Sequence, residues 1–296
     1  MKAGNAKSRI RDGLTYAFFT APAALLFCTF VLIPMILAFY YSLHDWNGIS
    51  IRYNFVGLQN YAKVFSETAF TKSFGFTFSF MLISAVALNV FGLLVALALN
   101  TKLKLRTALR GAYFMPMVIS AVVVGYLWNI MIVRLFPYWG EMTGIALLQK
   151  NWFSYPDTAF ASLIIATVWQ SFGYYMLLYL TGLQSIPGEL LEAASIDGAT
   201  GFQRFFRVTV PMMRPTFTTC FFLSIINGLK AFDLTYSLTA GGPFGSTTSI
   251  ALQIYLDAYK RDLLSYASAK AIIFCLIIML VSFAQVGFMR RKEVEA

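Results

Sequence analysis

The chain has 296 residues, of which 58% are hydrophobic and only 12% charged, and its mean hydropathy is +0.68. Soluble domains carry about 25% charged residues, so a water-soluble enzyme or regulator is excluded and a polytopic membrane protein is indicated. The formal net charge of +10 would point to nucleic acid in a soluble protein. In a membrane chain it reports the side bias of Lys and Arg, and no nucleic-acid partner is expected.

A bilayer core of about 30 Å takes about 20 apolar residues as helix. Six runs have that character: about 14–41, 74–99, 111–133, 158–180, 216–238 and 267–289. The predicted fold class is therefore all-α, polytopic, with six transmembrane helices. The first run follows Lys2, Lys7, Arg9 and Arg11, as a signal peptide would, but it is too long for a signal core and is read as a retained anchor helix. The predicted organisation is an N-terminal tail (1–13), a membrane domain (14–289) with a long loop at about 184–214, and a C-terminal tail (290–296).

Charge along the loops orients the chain. The N-terminal tail, the 100–110 loop (Lys102, Lys104, Arg106, Arg110), the 184–214 loop (Arg204, Arg207, Arg214) and the C-terminal tail (Arg290, Arg291, Lys292) together hold fourteen basic residues, against seven in the intervening loops. The richer side is expected to be cytoplasmic, with both termini inside.

Two stretches of the opposite loops, "FVGLQNYAKVF" (55–65) and "TSIALQIYLDAYKRDLL" (248–264), have apolar residues at helical spacing and are expected to form amphipathic helices at the outer interface. Trp46, Trp139 and Trp152 lie in these loops and are read as an aromatic belt. The three cysteines, Cys28, Cys220 and Cys275, sit in apolar runs and are read as packing residues. The lone histidine is His44. No metal site, nucleophile–base pair or paired carboxylates at membrane depth is found, so no catalytic residue is assigned.

The loop after the fourth run reads "LQSIPGELLEAASIDGATGFQRFFRVTVPMMRP". Pro187 suits a helix start and Glu189 and Glu192 suit its positive end. Gly198 is a plausible C-cap, and a second amphipathic helix can start at Thr200 or Gly201. Asp197 is expected to cap that second helix or pair within the loop. Ala193 and Ala194 leave a face where another backbone can approach closely. By its residues alone this hairpin could simply cover lipid headgroups.

The pattern Glu192-Ala193-Ala194, Asp197-Gly198-Ala199, Phe205/Phe206, Val210-Pro211 and Pro215 resembles the EAA loop of the permease subunits of binding-protein-dependent ABC importers, with Val210 where leucine is common. "FVGLQNYAKVF", "RGAYFMPMVIS" (110–120), "AFDLTYSLTAGGP" (231–243), "TTSIALQIYLDAY" and "YASAKAIIF" resemble segments of the carbohydrate (maltose and multiple-sugar) branch. The resemblance implies a type I importer permease fold in a bacterial or archaeal cytoplasmic membrane. It implies a second homologous permease, two copies of a cytoplasmic ATPase and an extracytoplasmic solute-binding protein as partners, a carbohydrate as substrate, and lipid around the helices. It also implies that Glu192, Ala193, Ala194, Asp197, Gly198 and Ala199 dock on the ATPase. The chain has no G-x-x-x-x-G-K-[ST] segment, so no cofactor is expected on it, and ATP with Mg is expected on the partner.

Polar groups at membrane depth are costly and usually face protein or water. Two stretches stand out on that ground, "WQSFGYYMLLY" in the fourth run and "SIINGLKAFDLTY" in the fifth. The family's sugar-contact positions, counted from Glu192 and from Gly241-Gly242-Pro243, fall at Thr167, Gln170, Ser171 and Tyr174, and at Ser224, Asn227, Gly228 and Ala231. Trp169 and Tyr175 are read as packing residues. Lys230 and Asp233, three apart on one helix, are expected to pair and to serve as a structural or gating pair. Two alternatives stay open: a glycerol-phosphate substrate in the same family, and an ion-coupled secondary carrier using Lys230 and Asp233.

Overall fold

The computed structural model describes residues 3–101 and 104–290, with side-chain surroundings from residue 15 to 289. Lys2, Lys102, Arg291 and Lys292, and most of the expected tail 290–296, lie outside the described residues, as do the side chains of Lys7, Arg9, Arg11 and Arg290. Regular structure among the described residues is helical, apart from one isolated antiparallel bridge between His44 and Phe55.

Helix α1 (Ala3–Phe27) runs through a π-helical turn (Cys28–Leu32) into α2 (Ile33–Ser42), followed by α3 (Gln59–Ser66) and α4 (Thr68–Leu99). Next come α5 (Arg106–Val118), α6 (Ala121–Ile130), α7 (Phe136–Thr143) and the short α8 (Ala146–Gln149), then the long α9 (Pro156–Gln184). The 184–214 loop holds α10 (Gly188–Ile196), α11 (Gly201–Arg204) and α12 (Val210–Met212). The chain closes with α13 (Arg214–Leu229), α14 (Ile250–Tyr259) and α15 (Leu264–Arg290).

Five stretches are long and apolar enough to cross a bilayer: Thr15–Ser42, Thr68–Leu99, Ala121–Thr143, Pro156–Gln184 and Leu264–Met289. The fifth expected span, 216–238, is not one of them. Its helix α13 stops at Leu229, and helix resumes only at Asp233, passing into a π-helical turn at Thr235–Thr239. The third expected span, 111–133, is divided by the extended backbone of Ile119 and Ser120. Hydropathy sees the apolar content of both runs and is blind to these breaks, because the residues that stabilise them lie elsewhere in the sequence. The two stretches expected as amphipathic helices at the outer interface are helical, as α3 and α14, but α14 buries its polar Gln253 and Asp257 together with Ile250 and Leu252, so it has no polar face toward water.

By compactness the chain divides into two units, residues 1–66 with 254–273, and residues 67–253 with 274–296. In the first, the end of α2 and the loop after it are held by polar bonds. Asn60 Nδ2 donates to the carbonyls of Ser42 (2.9 Å) and His44 (2.8 Å). Trp46 packs against Tyr41 at 4.4 Å between ring centroids, the rings tilted by 35°, and exchanges bonds with Ser265, its backbone N–H donating to Ser265 Oγ at 3.1 Å and its carbonyl accepting from Ser265 N at 3.0 Å. Bonds from the backbone and side chain of Asn54 hold the exposed Asp45 carboxyl below its ordinary range. The same unit holds an ion pair in its interior. Lys270 Nζ lies 2.6 Å from Asp257 Oδ2, with the two side chains 0% and 1% exposed. Arg261 meets the other oxygen at 2.7 Å.

In the second unit α4 packs along α9 and α13. Leu88, Ala96, Leu99, Met176, Tyr179, Leu180 and Cys220 form one apolar cluster there. Its centre is polar: Tyr179 OH donates to Asn89 Oδ1, and Asn89 Nδ2 donates to Ser224 Oγ at 2.9 Å, which joins the three helices where each polar group would otherwise be buried without a partner. A second cluster gathers Phe76, Phe80, Trp128, Ile132, Leu163 and Leu238. Trp152 belongs to it and is buried, its indole N–H donating to Leu147 O at 3.0 Å. It is therefore a core residue rather than part of an aromatic belt, whereas Trp139 is exposed.

Gly173 lets α9 meet α5, because a Cβ there would overlap the Tyr113 carbonyl. Gly173→Ala is expected to cost about 1–3 kcal/mol of stability by overpacking, read as a lower apparent Tm in detergent, while Gly111→Ala, where a Cβ meets nothing, should leave Tm unchanged.

Candidate translocation cavity and 184–214 loop

A cavity of about 410 Å³ opens beside α4, α9 and α13. Thr167, Gln170 and Ser171 line it from α9, Asn227 and Gly228 from α13, and Ala231 from the break that follows. Tyr175 and Phe232 add aromatic surface, and Phe80, Ser84 and Leu88 line it from α4. The edge along α9 follows the four-residue ridge Thr167, Ser171, Tyr175, since residues four apart stack on one helix face. Tyr174 instead packs against the apolar cluster and is not on the cavity wall. Ser224 is fully buried, accepting from Asn89 and donating to Phe221 O at 3.1 Å, so it is placed in the packing between helices and not in the cavity.

The polar groups differ in what is left over for a ligand. Gln170 commits one of its two amide N–H groups to the Ile119 carbonyl at 2.9 Å. Asn227 Nδ2 makes a long contact of 3.5 Å with Tyr175 OH. Thr167 Oγ1 is buried without a hydrogen-bond partner, which is unusual for a hydroxyl away from water. Asn227 thus offers hydrogen-bonding capacity beside aromatic faces, and Thr167 an unused hydroxyl buried just behind the wall.

Lys230 and Asp233 both line the cavity, but no ion pair joins them among the described residues. Lys230 is the C-cap of α13 and helix resumes only at Asp233. The i, i+3 neighbourhood expected from a continuous helix therefore does not exist. Each charge instead suits the helix dipole it adjoins, the cation at a C-terminus and the carboxylate at an N-terminus.

The 184–214 loop is the expected helix, glycine turn and second helix. Pro187 is the N-cap of α10 and Asp197 its C-cap. Gly198 follows with φ +76°. Its N–H donates to Ser195 O at 3.2 Å, and Ala199 N–H to Ala194 O at 3.0 Å, the paired bonds of a Schellman turn. The second helix is capped by Thr200, in a reciprocal pair with Gln203, rather than by Asp197, because the turn places Thr200 and not Asp197 at the Ncap. Arg204 Nη1 donates to Ser195 Oγ at 3.0 Å, tying the two helices together. Glu192, Ala193, Asp197 and Gly198 are exposed, and Ala194 and Ala199 half-buried. Ile196 is 86% exposed and stands in one loop with exposed Phe202 and Phe206, an apolar surface of the kind that marks a protein interface.

Sequence inspection missed Tyr175 and Phe232 on the cavity wall, the Asn89 network and the Asp257–Lys270 pair. Asn89 and Lys270 carried a signal, being polar or charged residues inside apolar runs.

Five long apolar helices, with a cavity of mixed polar and aromatic lining beside α4, α9 and α13, mark a multi-pass membrane protein with a pathway-like cleft. The family described as "Binding-protein-dependent transport system inner membrane component" matches residues 88–294. The chain belongs to that family, as a transport subunit and not an enzyme. Over 285 residues it is 38% identical to the probable starch degradation products transport system permease protein AmyD of Thermoanaerobacterium thermosulfurigenes, covering 96% of this chain and 97% of that one. It is 36% identical to the multiple sugar-binding transport system permease protein MsmF of Streptococcus mutans, covering 90% and 91%. In fold it is similar to a chain of the bacterial alginate ABC transporter, crystallised in complex with an alginate pentasaccharide-bound periplasmic protein, with a TM-score of 0.84 at 21% identity over 96% of both chains.

Proposed function

We propose that this chain is a permease subunit of an ATP-driven carbohydrate importer, and that the cavity beside α9 and α13 is its part of the sugar pathway. The observation that carries the reading is the cavity wall itself. It sets Thr167, Ser171 and Asn227 beside Tyr175 and Phe232, the mixture of hydrogen-bonding groups and flat aromatic surface that sugar rings require. The relatives named for starch degradation products and multiple sugars support that substrate class.

In this reading the exposed Glu192–Gly198 turn, with Ile196, Phe202 and Phe206, docks on a separate cytoplasmic ATPase that holds ATP and Mg. A second permease completes the pathway, and an extracytoplasmic solute-binding protein delivers the substrate. Both termini are cytoplasmic, in the cytoplasmic membrane of a bacterium or archaeon. Closure of the ATPase pair moves the loop, and α9 and α13, which flank it, carry that motion to the cavity.

Asn227→Leu is expected to reduce uptake of radiolabelled maltotriose by the reconstituted importer about tenfold, the effect of losing a hydrogen bond and leaving its partner unpaired, with membrane insertion unchanged. Wild-type uptake in this variant would count against the site. Uptake of glycerol 3-phosphate in place of every sugar offered would overturn the substrate class. Uptake by the permease without ATPase or ATP would overturn the importer reading.

A further inference from the structure

We propose that the buried run Thr247-Thr248-Ser249 is a strap that holds the second half of the broken helix against the cavity, and that Ser249 is a positioning residue for the cavity wall. The break after α13 releases backbone carbonyls that a continuous helix would have satisfied, and such groups are costly away from water. The Ala231 carbonyl is satisfied by Ser249 Oγ at 2.6 Å, a bond across eighteen residues. Ser249 is 0% exposed, and its Oγ also accepts from Leu252 N at 3.1 Å. An amide N–H can only donate and a carbonyl can only accept, so the single hydroxyl proton is committed to Ala231 O. One side chain therefore caps α14 and fixes the start of the half-helix.

The other two hydroxyls hold its far end. Thr247 Oγ1 lies 2.8 Å from Thr239 Oγ1, and Thr248 Oγ1 donates to Gly241 O at 3.2 Å. The strap is itself anchored where Ile250 N donates to Thr77 Oγ1 of α4 at 2.9 Å. The segment so held, Ala231 to Leu234, supplies four consecutive residues of the cavity wall. The break at Ile119 is held in the same manner by Gln170, so two carbonyl clamps shape one cavity. The bearing of this device on transport rests on the reading of the cavity as the sugar pathway; the device itself does not.

The test uses the fully assembled importer, with Cys28→Ser and Cys275→Ala and the fully buried Cys220 retained. Ala231→Cys is labelled with a charged, membrane-impermeant maleimide, with Glu189→Cys as a control far along the chain. Ser249→Ala is expected to speed labelling at 231 about fivefold, the consequence of losing one net hydrogen bond. Ser249→Thr, which keeps the proton and the acceptor, should restore the wild-type rate, and the control should not change. If Ser249→Ala lowers assembly, Ser249→Gly is read in the same assay, since glycine is accepted at a helix N-terminus but has no proton to give. An unchanged rate at 231, an equally fast rate in Ser249→Thr, or an equal rise at the control overturns the assignment. No substrate enters the assay, so its failure is distinct from a failure of the carbohydrate reading.

Discussion

Gly198→Val is expected to abolish ATP-coupled uptake while the permease still inserts and assembles. The residue occupies the left-handed region at φ +76°, where a non-glycine residue costs about 1–3 kcal/mol, most of all a β-branched one. A Cβ at this position meets nothing within the chain, so the penalty comes from the backbone alone. Relieving it means undoing the paired bonds from Gly198 N to Ser195 O and Ala199 N to Ala194 O, and with them the angle between α10 and α11. The Glu192–Ala194 face and the Ile196, Phe202 and Phe206 side chains would then no longer be presented together. Gly198→Asn should be mild, since asparagine tolerates this conformation. Glu192→Lys should also abolish coupling, by reversing an exposed charge on the same face. Substrate-stimulated ATPase activity and uptake in vesicles are the measurements. Normal coupling in both Gly198→Val and Glu192→Lys would remove the docking role from this loop.

Asp257→Leu is expected to destabilise the chain more than any other substitution considered, by about 3–5 kcal/mol, because it removes the carboxylate paired at 2.6 Å with the fully buried Lys270 ammonium. Lys270 is 0% exposed, and its Nζ also lies over the Tyr266 ring, 4.4 Å from the centroid. Lys270→Met should cost less, since Arg261 still meets the Asp257 carboxylate at 2.7 Å. The double variant Asp257→Leu with Lys270→Met should recover most of the loss, as it removes both buried charges and replaces the pair with apolar volume. Thermal unfolding of the detergent-solubilised complex reads all three. Losses that simply add in the double variant would mean that the pair contributes no more than two independent contacts.

Much of the architecture was legible without coordinates, for a simple reason. Bilayer crossing depends on length and apolar content, which are properties of consecutive residues, and four of the six expected spans are long continuous apolar helices. The 184–214 loop was legible for a related reason. Its helix start, its glycine turn and its second helix are set by side chains within a few residues of the groups they satisfy. The misplaced cap shows the limit of that reading. Asp197 and Thr200 are both good capping residues, and the φ of Gly198 decides between them.

The cavity was only half legible. The resemblance to the family, counted from Glu192 and from Gly241-Gly242-Pro243, pointed to Thr167, Gln170, Ser171, Asn227, Gly228 and Ala231, which line the cavity, but it also pointed to Tyr174 and Ser224 and passed over Tyr175. Which residue of a ridge faces a cavity depends on the rotation of each helix against its neighbours. Here α4 sets that rotation, through Asn89 bonding to Ser224 and Tyr179.

The sequence alone determined the class of this protein: a basic-loop, multi-span membrane chain with a helical hairpin at 184–214, since hydropathy, loop charge and turn chemistry are all local. Tertiary structure alone decided where the membrane helices break. An unwound turn at Ile119 or at Ala231 survives only if its released carbonyl finds a donor. Those donors, Gln170 and Ser249, lie fifty-one and eighteen residues away and are brought into reach only by the packed fold.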